Sequence, residues 1–434
     1  MKRPFAATAV HAAALPGRVL RGIAATAVFG MALCAPAAGA AQTATVAVVH
    51  QLSFLEGFGV NNLVFDRLGN LYGSAAFGGE PPVIDDHVFQ YFGAGTNFQI
   101  NPSGQCTVVY NFNNALGQVP LTGHAILFGD PGPLAAGGNG LIYMVVGSDT
   151  SLNSLINSQP TDPTAPPPLV PRIPVIGDLG QSYGAVVAFS PVLPQVLLPV
   201  YYFTDPNDPP VGPLLRGSDG NLYGTSLTTV YQINALGQKT TLHTFSGSFT
   251  LLNTLMQAAN GVLYGSTEGS ATPTIFSLTT GGRLTTLHSG DYVSGTMVQG
   301  RDGNIYGTVV SSNGSSYGYV FRITPAGAFS VVHNFAYSDG AYPGSLVGRD
   351  GNLYGITSQG GPGSSPSGPN TGYGTLFKIA VDGTFSTVAN FGAATNGLRL
   401  MVQAADGSFY GTTGYIDLGP GASLSQSIVR VTLR

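Results

Sequence analysis

The chain has 434 residues, a formal net charge of −4 and only 8% charged residues, together with 62 glycines and 30 prolines. Hydrophobic residues make up 43% of it, which excludes an intrinsically disordered polar chain. Lysine and arginine total 16 and form no cluster, so neither a nucleic acid nor an anionic membrane surface is expected as a partner.

The first 41 residues have the pattern of a secretory signal peptide. Basic residues come first, an apolar run follows over residues 23–33, and Ala38-Gly39-Ala40 fits a small-x-small cleavage site. The apolar run is too short to span a bilayer. Cleavage would leave 12 basic and 20 acidic residues in one domain over 42–434, with Cys106 as its single cysteine. We therefore expect an exported protein (periplasmic, secreted or at the cell surface) that has no internal disulfide.

One short motif, a turn followed by an apolar residue and a tyrosine, recurs along the whole of this domain. In chain order its tyrosines are Tyr72, Tyr143, Tyr223, Tyr264, Tyr306, Tyr354 and Tyr410. The shorter intervals are close to forty residues, a period typical of propellers and solenoids. Longer intervals contain insertions at about 75–95 and 148–182, and a third insertion lies at 358–374.

Each repeat contains four short apolar segments with strand-like alternation, as residues 293–335 illustrate with SGTMVQG, NIYGTVV, GYVFRIT and AFSVVHNF. An Asp-Gly-Asn turn joins the first two, and we expect its Gly and Asn to take the positive φ of a tight hairpin. The Gly after the tyrosine would permit close backbone approach between crowded blades. Four antiparallel strands repeated at this period predict a blade of a β-propeller.

Both chain ends contribute to the predicted ring. ATVAVVHQL near the start matches the fourth strand of other repeats, and SIVRVTLR at the end matches the third. Pairing of these two segments would close a propeller without leaving a free edge. Seven fourth-type strands can be counted, so the sequence predicts an all-β, seven-bladed propeller of four-stranded antiparallel blades.

The motif series DGNLYGT, then GTLFKI or GYVFRI, then TLHTF or VVHNF resembles the GloVer repeat of bacterial exported proteins. The resemblance is strongest over residues 218–391 and weaker in the first two repeats. It implies a tandem-repeat, propeller-like protein of the exported, variously anchored kind, a family without an agreed biochemical activity.

Few residues depart from the repeat in a way that suggests chemistry. Weak metal-ligand candidates are Glu80, Asp85, Asp86, His87 and His124. A solvated loop explains the first four better, and a buried core histidine explains the fifth. The turn aspartates Asp219, Asp302, Asp350 and Asp406 and the strand histidines His50, His243, His288 and His333 recur at fixed repeat positions. We therefore interpret the aspartates as turn formers and the histidines as structural hydrogen-bonding residues, and Cys106 as a small buried residue.

These patterns favour a non-catalytic, monomeric scaffold without a cofactor. Such a scaffold would bind an extracellular partner, a glycan or a protein, through loops on one face, where Tyr91, Phe92 and Tyr373 lie in insertions. The alternative is a metal-dependent propeller enzyme of the lyase or lactonase kind with its site at the channel mouth, for which only Glu80, His87 and His124 could serve. A purely structural assembly protein is a third interpretation. No nucleophile elbow, phosphate loop or zinc-finger spacing occurs in the sequence.

Overall fold

The computed structural model describes residues 44–433 apart from 80–94, 112–130, 138, 148–183, 191–192, 247–248, 252–254, 270–271, 311–315, 349, 367–370, 393–396 and 414–425. The described residues form strands and turns and no helix. Accordingly, no helix within them could span a membrane. The predicted signal peptide lies outside the described residues and stays a prediction.

The strands form seven antiparallel sheets. The chain begins with β1 (Ala44–Leu52). The first blade contains β2 (Phe58–Phe65), β3 (Leu71–Phe77), β4 (Thr96–Ile100) and β5 (Cys106–Asn111), and the second contains β6 (Pro131–Ala136), β7 (Ile142–Gly147), β8 (Gly184–Ser190) and β9 (Leu193–Tyr202). The third contains β10 (Pro210–Arg216), β11 (Leu222–Ser226), β12 (Thr229–Ile233) and β13 (Lys239–Thr244). In the fourth, β14 (Phe249–Leu251) and β15 (Met256–Gln257) both pair with β16 (Leu263–Gly269), followed by β17 (Thr274–Leu278) and β18 (Leu284–Ser289).

The last three blades are equally regular. The fifth contains β19 (Tyr292–Gln299), β20 (Ile305–Val310), β21 (Tyr319–Ile323) and β22 (Phe329–Asn334), and the sixth contains β23 (Ala341–Gly348), β24 (Leu353–Gln359), β25 (Thr375–Ile379) and β26 (Phe385–Asn390). The seventh contains β27 (Leu398–Gln403), β28 (Phe409–Thr413) and β29 (Gln426–Leu433), with β1 as its outer strand. The predicted seven-bladed propeller is confirmed.

The two chain ends close the ring, as the sequence predicts. β1 pairs antiparallel with β29 from Ala44 opposite Leu433 to Leu52 opposite Gln426. The buried Gln426 side chain then joins the seventh blade to the first, because its Oε1 accepts from the Val60 N–H at 3.1 Å and its Nε2 donates to the Thr413 carbonyl at 3.2 Å. This non-covalent closure is called the seam below.

The first strand of each blade lies innermost, since β2 contacts β6 and β27, and β23 contacts β19 and β27. Strands alternate in direction, so the connections fall on two faces. The turn face carries the first-to-second and third-to-fourth connections, most of them five residues long, such as 66–70 and 234–238. The other connections join strand ends at the opposite face, called the loop face below, and the longest of them span 78–95, 112–130, 148–183, 360–374 and 414–425.

The repeated tyrosine turn is held by side chains as well as by backbone. In the fifth blade, Asp302 Oδ1 accepts from the Asn304 N–H at 3.1 Å, and its Oδ2 accepts from the Tyr306 hydroxyl at 2.7 Å. Asp219 and Asp350 make the same pair of bonds. These hydrogen bonds outweigh the effect of burial and hold the pKa of the Asp302 carboxyl below its usual value. The interpretation of these three aspartates as turn formers is confirmed.

Two details of this motif differ from expectation. Gly303 takes the positive φ of the turn, at 79°, whereas Asn304 does not and instead donates its side-chain amide to Asp302. The Gly after the tyrosine makes room for a ring rather than for a neighbouring backbone: a Cβ at Gly307 would overlap the buried Phe321 side chain of the paired strand. The expectation that the Gly after the tyrosine permits close backbone approach between blades was therefore wrong.

Candidate functional site

The loop face carries an ordered group of aromatic side chains between the fifth and sixth blades, which we call the tyrosine cluster: Tyr317, Tyr337 and Tyr342. The rings of Tyr317 and Tyr337 lie edge to face with centroids 4.8 Å apart. The Tyr342 N–H donates to the Tyr317 carbonyl at 2.8 Å. Tyr337 is buried, whereas Tyr317 and Tyr342 are partly exposed, so the cluster has a supporting ring below and accessible rings above.

Backbone strain concentrates in the same cluster. Tyr337 and Tyr342, with φ of 57° and 56°, are the only non-glycine residues with positive φ in the described chain. Bulky side chains disfavour this conformation, which persists where surrounding contacts enforce it and is common at ligand-binding sites. Here the Tyr337 hydroxyl donates to the Thr371 carbonyl at 2.9 Å, and the backbone carbonyl of Tyr337 accepts from the Gly361 N–H at 2.8 Å. The insertion at 358–374 thus holds the cluster in place, and it also contains the partly exposed Tyr373.

A second group of polar side chains lies where neighbouring blades meet. His288 and His333 occupy the same position of the outer strand, opposite Ile275 and Val320. Each donor–acceptor pair joins the histidine to an acid in the next connection: His288 Nε2 lies 2.6 Å from Asp291 Oδ2, and His333 Nε2 lies 3.0 Å from Asp339 Oδ2. The expected structural hydrogen bond of these histidines is confirmed.

The first residue of the next outer strand completes each junction with an aromatic ring. His288 stacks on Phe329 with centroids 3.7 Å apart and planes within 8°. His333 stacks on Phe385 with centroids 3.5 Å apart and planes within 4°. Burial lowers the pKa of His333 below its usual value, although Asp339 acts in the opposite direction.

The junction at the seam keeps the histidine and the acid but lacks the ring. His50 Nε2 lies 3.0 Å and 3.1 Å from the two carboxylate oxygens of Glu56. Cys106 opens β5 opposite Ile100, the register that Phe329 and Phe385 have opposite Ile323 and Ile379. The ligand atoms of His50, Glu56 and Cys106 all lie within 4.8 Å of one another.

Glu56 is fixed by its own turn. The Ser53 N–H donates to Glu56 Oε2 at 2.8 Å and the Glu56 N–H donates to Ser53 Oγ at 3.3 Å, a reciprocal arrangement like a helical capping box. The Thr96 hydroxyl donates to the Glu56 carbonyl at 2.5 Å. Burial would raise the pKa of Glu56, but hydrogen bonds from Ser53 and His50 lower it, so the carboxylate is ionised.

Cys106 is partly buried and packs against the core of the first blade, as expected from its strand. Burial, followed by the nearby Glu56 carboxylate, raises the pKa of its thiol well above the usual value. A thiol in this environment is protonated and therefore a poor nucleophile.

The metal-ligand candidates named from the sequence, Glu80, Asp85, Asp86, His87 and His124, lie outside the described residues. So do the loop aromatics Tyr91 and Phe92. Sequence reasoning noticed His50 and Cys106 separately and missed Glu56. The outer strands in the same register open with Cys106, Lys239, Leu284, Phe329 and Phe385, so an alignment shows a cysteine where two blades have phenylalanine.

No curated protein matches the chain. Among solved structures, a catalytically inactive virginiamycin B lyase from Staphylococcus aureus with quinupristin superimposes with a TM-score of 0.53 at 12% identity, covering 90% of this chain and 100% of that one. A protein of unknown function from Bacteroides thetaiotaomicron gives a TM-score of 0.44 at 13% identity over 91% and 76% of the two chains. A gluconolactonase from Xanthomonas campestris gives 0.37 at 13% identity over 58% and 79%. At these identities the likeness to the lyase shows a shared fold alone.

The sequence itself matches the Gloeobacter/Verrucomicrobia repeat over residues 176–365 and 301–420. Together the two matches extend over residues 176–420, more than half of the 434 residues. They include the regular blades in which the tyrosine turns are best formed. The chain therefore belongs to the Gloeobacter/Verrucomicrobia repeat family.

Proposed function

We propose that this protein is an exported, non-catalytic propeller scaffold that binds a partner at the cell surface, in the first instance a glycan, through its loop face. The observation that carries the proposal is the asymmetry between the two faces. Every connection longer than seven residues joins strand ends that lie on the loop face, while the strand ends on the turn face are joined by short turns of nearly uniform length. Binding functions are commonly placed on such loops above a rigid scaffold.

The tyrosine cluster is the proposed contact surface for that partner. Tyrosine presents a flat apolar ring and a polar hydroxyl at low entropic cost, which suits recognition of the alternating apolar and hydroxyl surfaces of sugars. The strained backbone of Tyr337 and Tyr342 supports a functional role, because nothing in a repeat scaffold requires it.

Export is supported by the sequence of residues 1–41 and has a direct test. N-terminal sequencing of protein recovered from the periplasm, medium or cell surface should give a start near residue 41 or 42. A start at Met1 in protein retained in the cytoplasm would contradict this part of the proposal.

Binding is tested with a glycan array and a variant that separates folding from recognition. Tyr342→Gly removes a partly exposed ring and relieves the positive φ of 56°, so we expect binding to fall at least tenfold without loss of stability. The matched control, Leu236→Ala, removes a side chain that is 82% exposed on the turn face and should bind like the unmodified protein. Equal loss in both variants, or no change in Tyr342→Gly, would contradict a site at the cluster. If the protein binds no glycan on the array, the proposal of a glycan partner is overturned and a protein partner is tested next.

A further inference from the structure

We propose that His50, Glu56 and Cys106 form a binding site for a zinc-class divalent transition metal, and that the bound ion fastens the N-terminal strand to the first blade. The three residues contribute one nitrogen, one oxygen and one sulfur, and these ligand atoms lie within 4.8 Å of one another. Nothing in the scaffold function proposed above depends on this site.

The chemistry of the three ligands selects the class of metal. A thiolate and an imidazole suit Zn²⁺ and its neighbours in the first transition row, while Ca²⁺ and Mg²⁺ require oxygen ligands. Two ligand atoms bound tetrahedrally to Zn²⁺ lie roughly 3.3–3.7 Å apart, given bonds of about 2.0–2.3 Å. His50 Nε2 and the Glu56 oxygens, at 3.0 and 3.1 Å, need to separate only slightly. The Cys106 sulfur, within 4.8 Å of the other two ligand atoms, needs to approach them by at most roughly 1 Å to reach that range. Rotation of the three side chains can supply both movements.

Two other junctions provide an independent argument. His288 with Asp291 and His333 with Asp339 repeat the imidazole–carboxylate pair, but stacked phenylalanine rings cover those histidines. At the seam a thiol stands at the position of the ring. All three junctions thus present an imidazole and a carboxylate, and the seam alone among them adds a thiol as a third ligand.

The seam pair is also accessible and pre-oriented. The His50 and Glu56 side chains are 23% and 20% exposed, which lets an ion enter and leaves room for water as a fourth ligand. The Ser53–Glu56 turn fixes the carboxylate before any ion binds. Binding breaks the S–H bond of Cys106 and forms a metal–sulfur bond, and the thiol proton passes to the solvent; no change of oxidation state is involved.

The position of the site gives the ion a structural effect. His50 belongs to β1, Glu56 to the turn after it, and Cys106 to β5 of the first blade. A metal held by all three bridges the closing strand and the neighbouring blade, and it binds the closed ring only. Its binding energy is therefore added to the stability of closure.

The experiment is a titration of reduced, chelator-treated protein with Co²⁺ and Zn²⁺. We expect one equivalent of Co²⁺ to produce a near-ultraviolet thiolate-to-cobalt charge-transfer band that Zn²⁺ displaces. Saturating Zn²⁺, at 100 to 1,000 times its Kd, should raise the melting temperature by roughly 3 to 5 °C. Cys106→Ser should lose the band, and Cys106→Phe, which restores the residue of the fifth and sixth blades, should lose both the band and the temperature shift.

His288→Gln is the matched control, because it changes the equivalent histidine at a junction without a thiol and should keep one site. His50→Gln provides a second test of the ligand set should a Cys106 variant fold poorly. Absence of the charge-transfer band in the unmodified protein would overturn the proposal. So would a temperature shift that survives Cys106→Phe undiminished, since the ion would then bind elsewhere.

Discussion

The junction at the seam and the junctions on either side of the fifth blade use one plan for different ends. At His288 and His333 an imidazole is bound to an acid and covered by a phenylalanine ring 3.7 or 3.5 Å away. At the seam, His50 and Glu56 keep the hydrogen bond between imidazole and carboxylate, but Cys106 stands at the position of the ring. A repeat protein can therefore acquire a chemically distinct site by changing one residue, because the repeated junction already places an imidazole beside a carboxylate.

The difference also falls at a meaningful place in the ring. Each of the other outer strands is joined to its own blade through the chain, whereas β1 is joined to the seventh blade by pairing alone. Closure is the step in which the two chain ends must meet, so it costs the most loop entropy. Contacts that secure β1 against its neighbours therefore matter more than equivalent contacts elsewhere.

The largest expected effect tests the contribution of the seam to stability. Leu52 is 4% exposed at the end of β1, and Leu52→Ala should lower the free energy of unfolding by about 2–4 kcal/mol, since it creates a cavity in the first-blade core. Urea unfolding at fixed pH measures this. Val48→Ala on the same strand removes a side chain that is 58% exposed and should cost under about 0.5 kcal/mol. Similar losses in the two variants would show that the seam does not bury Leu52 as described.

The second prediction transplants the seam arrangement to another junction. Phe329→Cys places a thiol beside His288 and Asp291, so it should add a second equivalent of Co²⁺ with a charge-transfer band. Without metal the variant should lose about 1–3 kcal/mol, because a stacked aromatic side chain is shortened. Phe329→Ala is the control that makes the same cavity without a ligand. If Phe329→Cys gains no site while the seam binds metal, the turn that holds Glu56, and not the residue triad alone, creates the site.

The converse substitution has a smaller effect. In metal-free buffer Cys106→Phe should raise the free energy of unfolding by about 0.5–1.5 kcal/mol, as the new ring stacks on His50 in the manner of Phe385 on His333. Chemical unfolding with chelator present measures it, and Cys106→Ala separates the loss of the thiol from the gain of the ring. A destabilised Cys106→Phe variant would show that the seam is narrower than the junctions it resembles.

The blades and their closure could be predicted from the sequence because they follow from local patterns. Alternating apolar segments and Asp-Gly-Asn turns specify strands and hairpins within about forty residues. The closure joins distant residues, Ala44 and Leu433 among them, but each end has a strand pattern that identifies its place in the repeat. The prediction that Asn304 takes the positive φ was wrong for a physical reason: Gly303 alone supplies that conformation, and Asn304 is needed for its hydrogen bonds to Asp302.

The tyrosine cluster and the seam site could not be predicted in the same way. His50 and Cys106 belong to different blades and come together only when the ring closes. The acid follows its histidine by six residues at Glu56 and Asp339 but by three at Asp291, so no fixed spacing reveals the pair. Tyr337 is hydrogen-bonded to the insertion at 358–374 and Tyr342 to Tyr317, contacts that form only in the fold, and tyrosine has no sequence preference that signals a positive φ.

The smallest expected effect is a pH dependence that distinguishes a ring-covered junction. The pKa of His333 is lower in the folded protein than its ordinary value of 6.5, because burial disfavours the charged ring more than Asp339 favours it. Below about pH 6.5 the unfolded chain consequently binds a proton more readily than the folded one. The contribution of His333 to stability is thus complete above pH 6.5, falls as the pH drops towards the lower folded value, and changes no further below it.

Urea unfolding of the unmodified protein and of His333→Gln between pH 7.5 and 5 measures this contribution as the difference between the two curves. The turn aspartates lie outside the window, since the pKa values of Asp219, Asp302 and Asp350 are held below their ordinary 3.8 and their contributions are lost only at more acidic pH. The unmodified protein should lose more stability than the variant as the pH falls below 6.5. If the two curves stay parallel, the attraction of Asp339 offsets the effect of burial on His333 completely. If the unmodified protein instead gains stability relative to His333→Gln as the pH falls, the attraction of Asp339 outweighs the effect of burial.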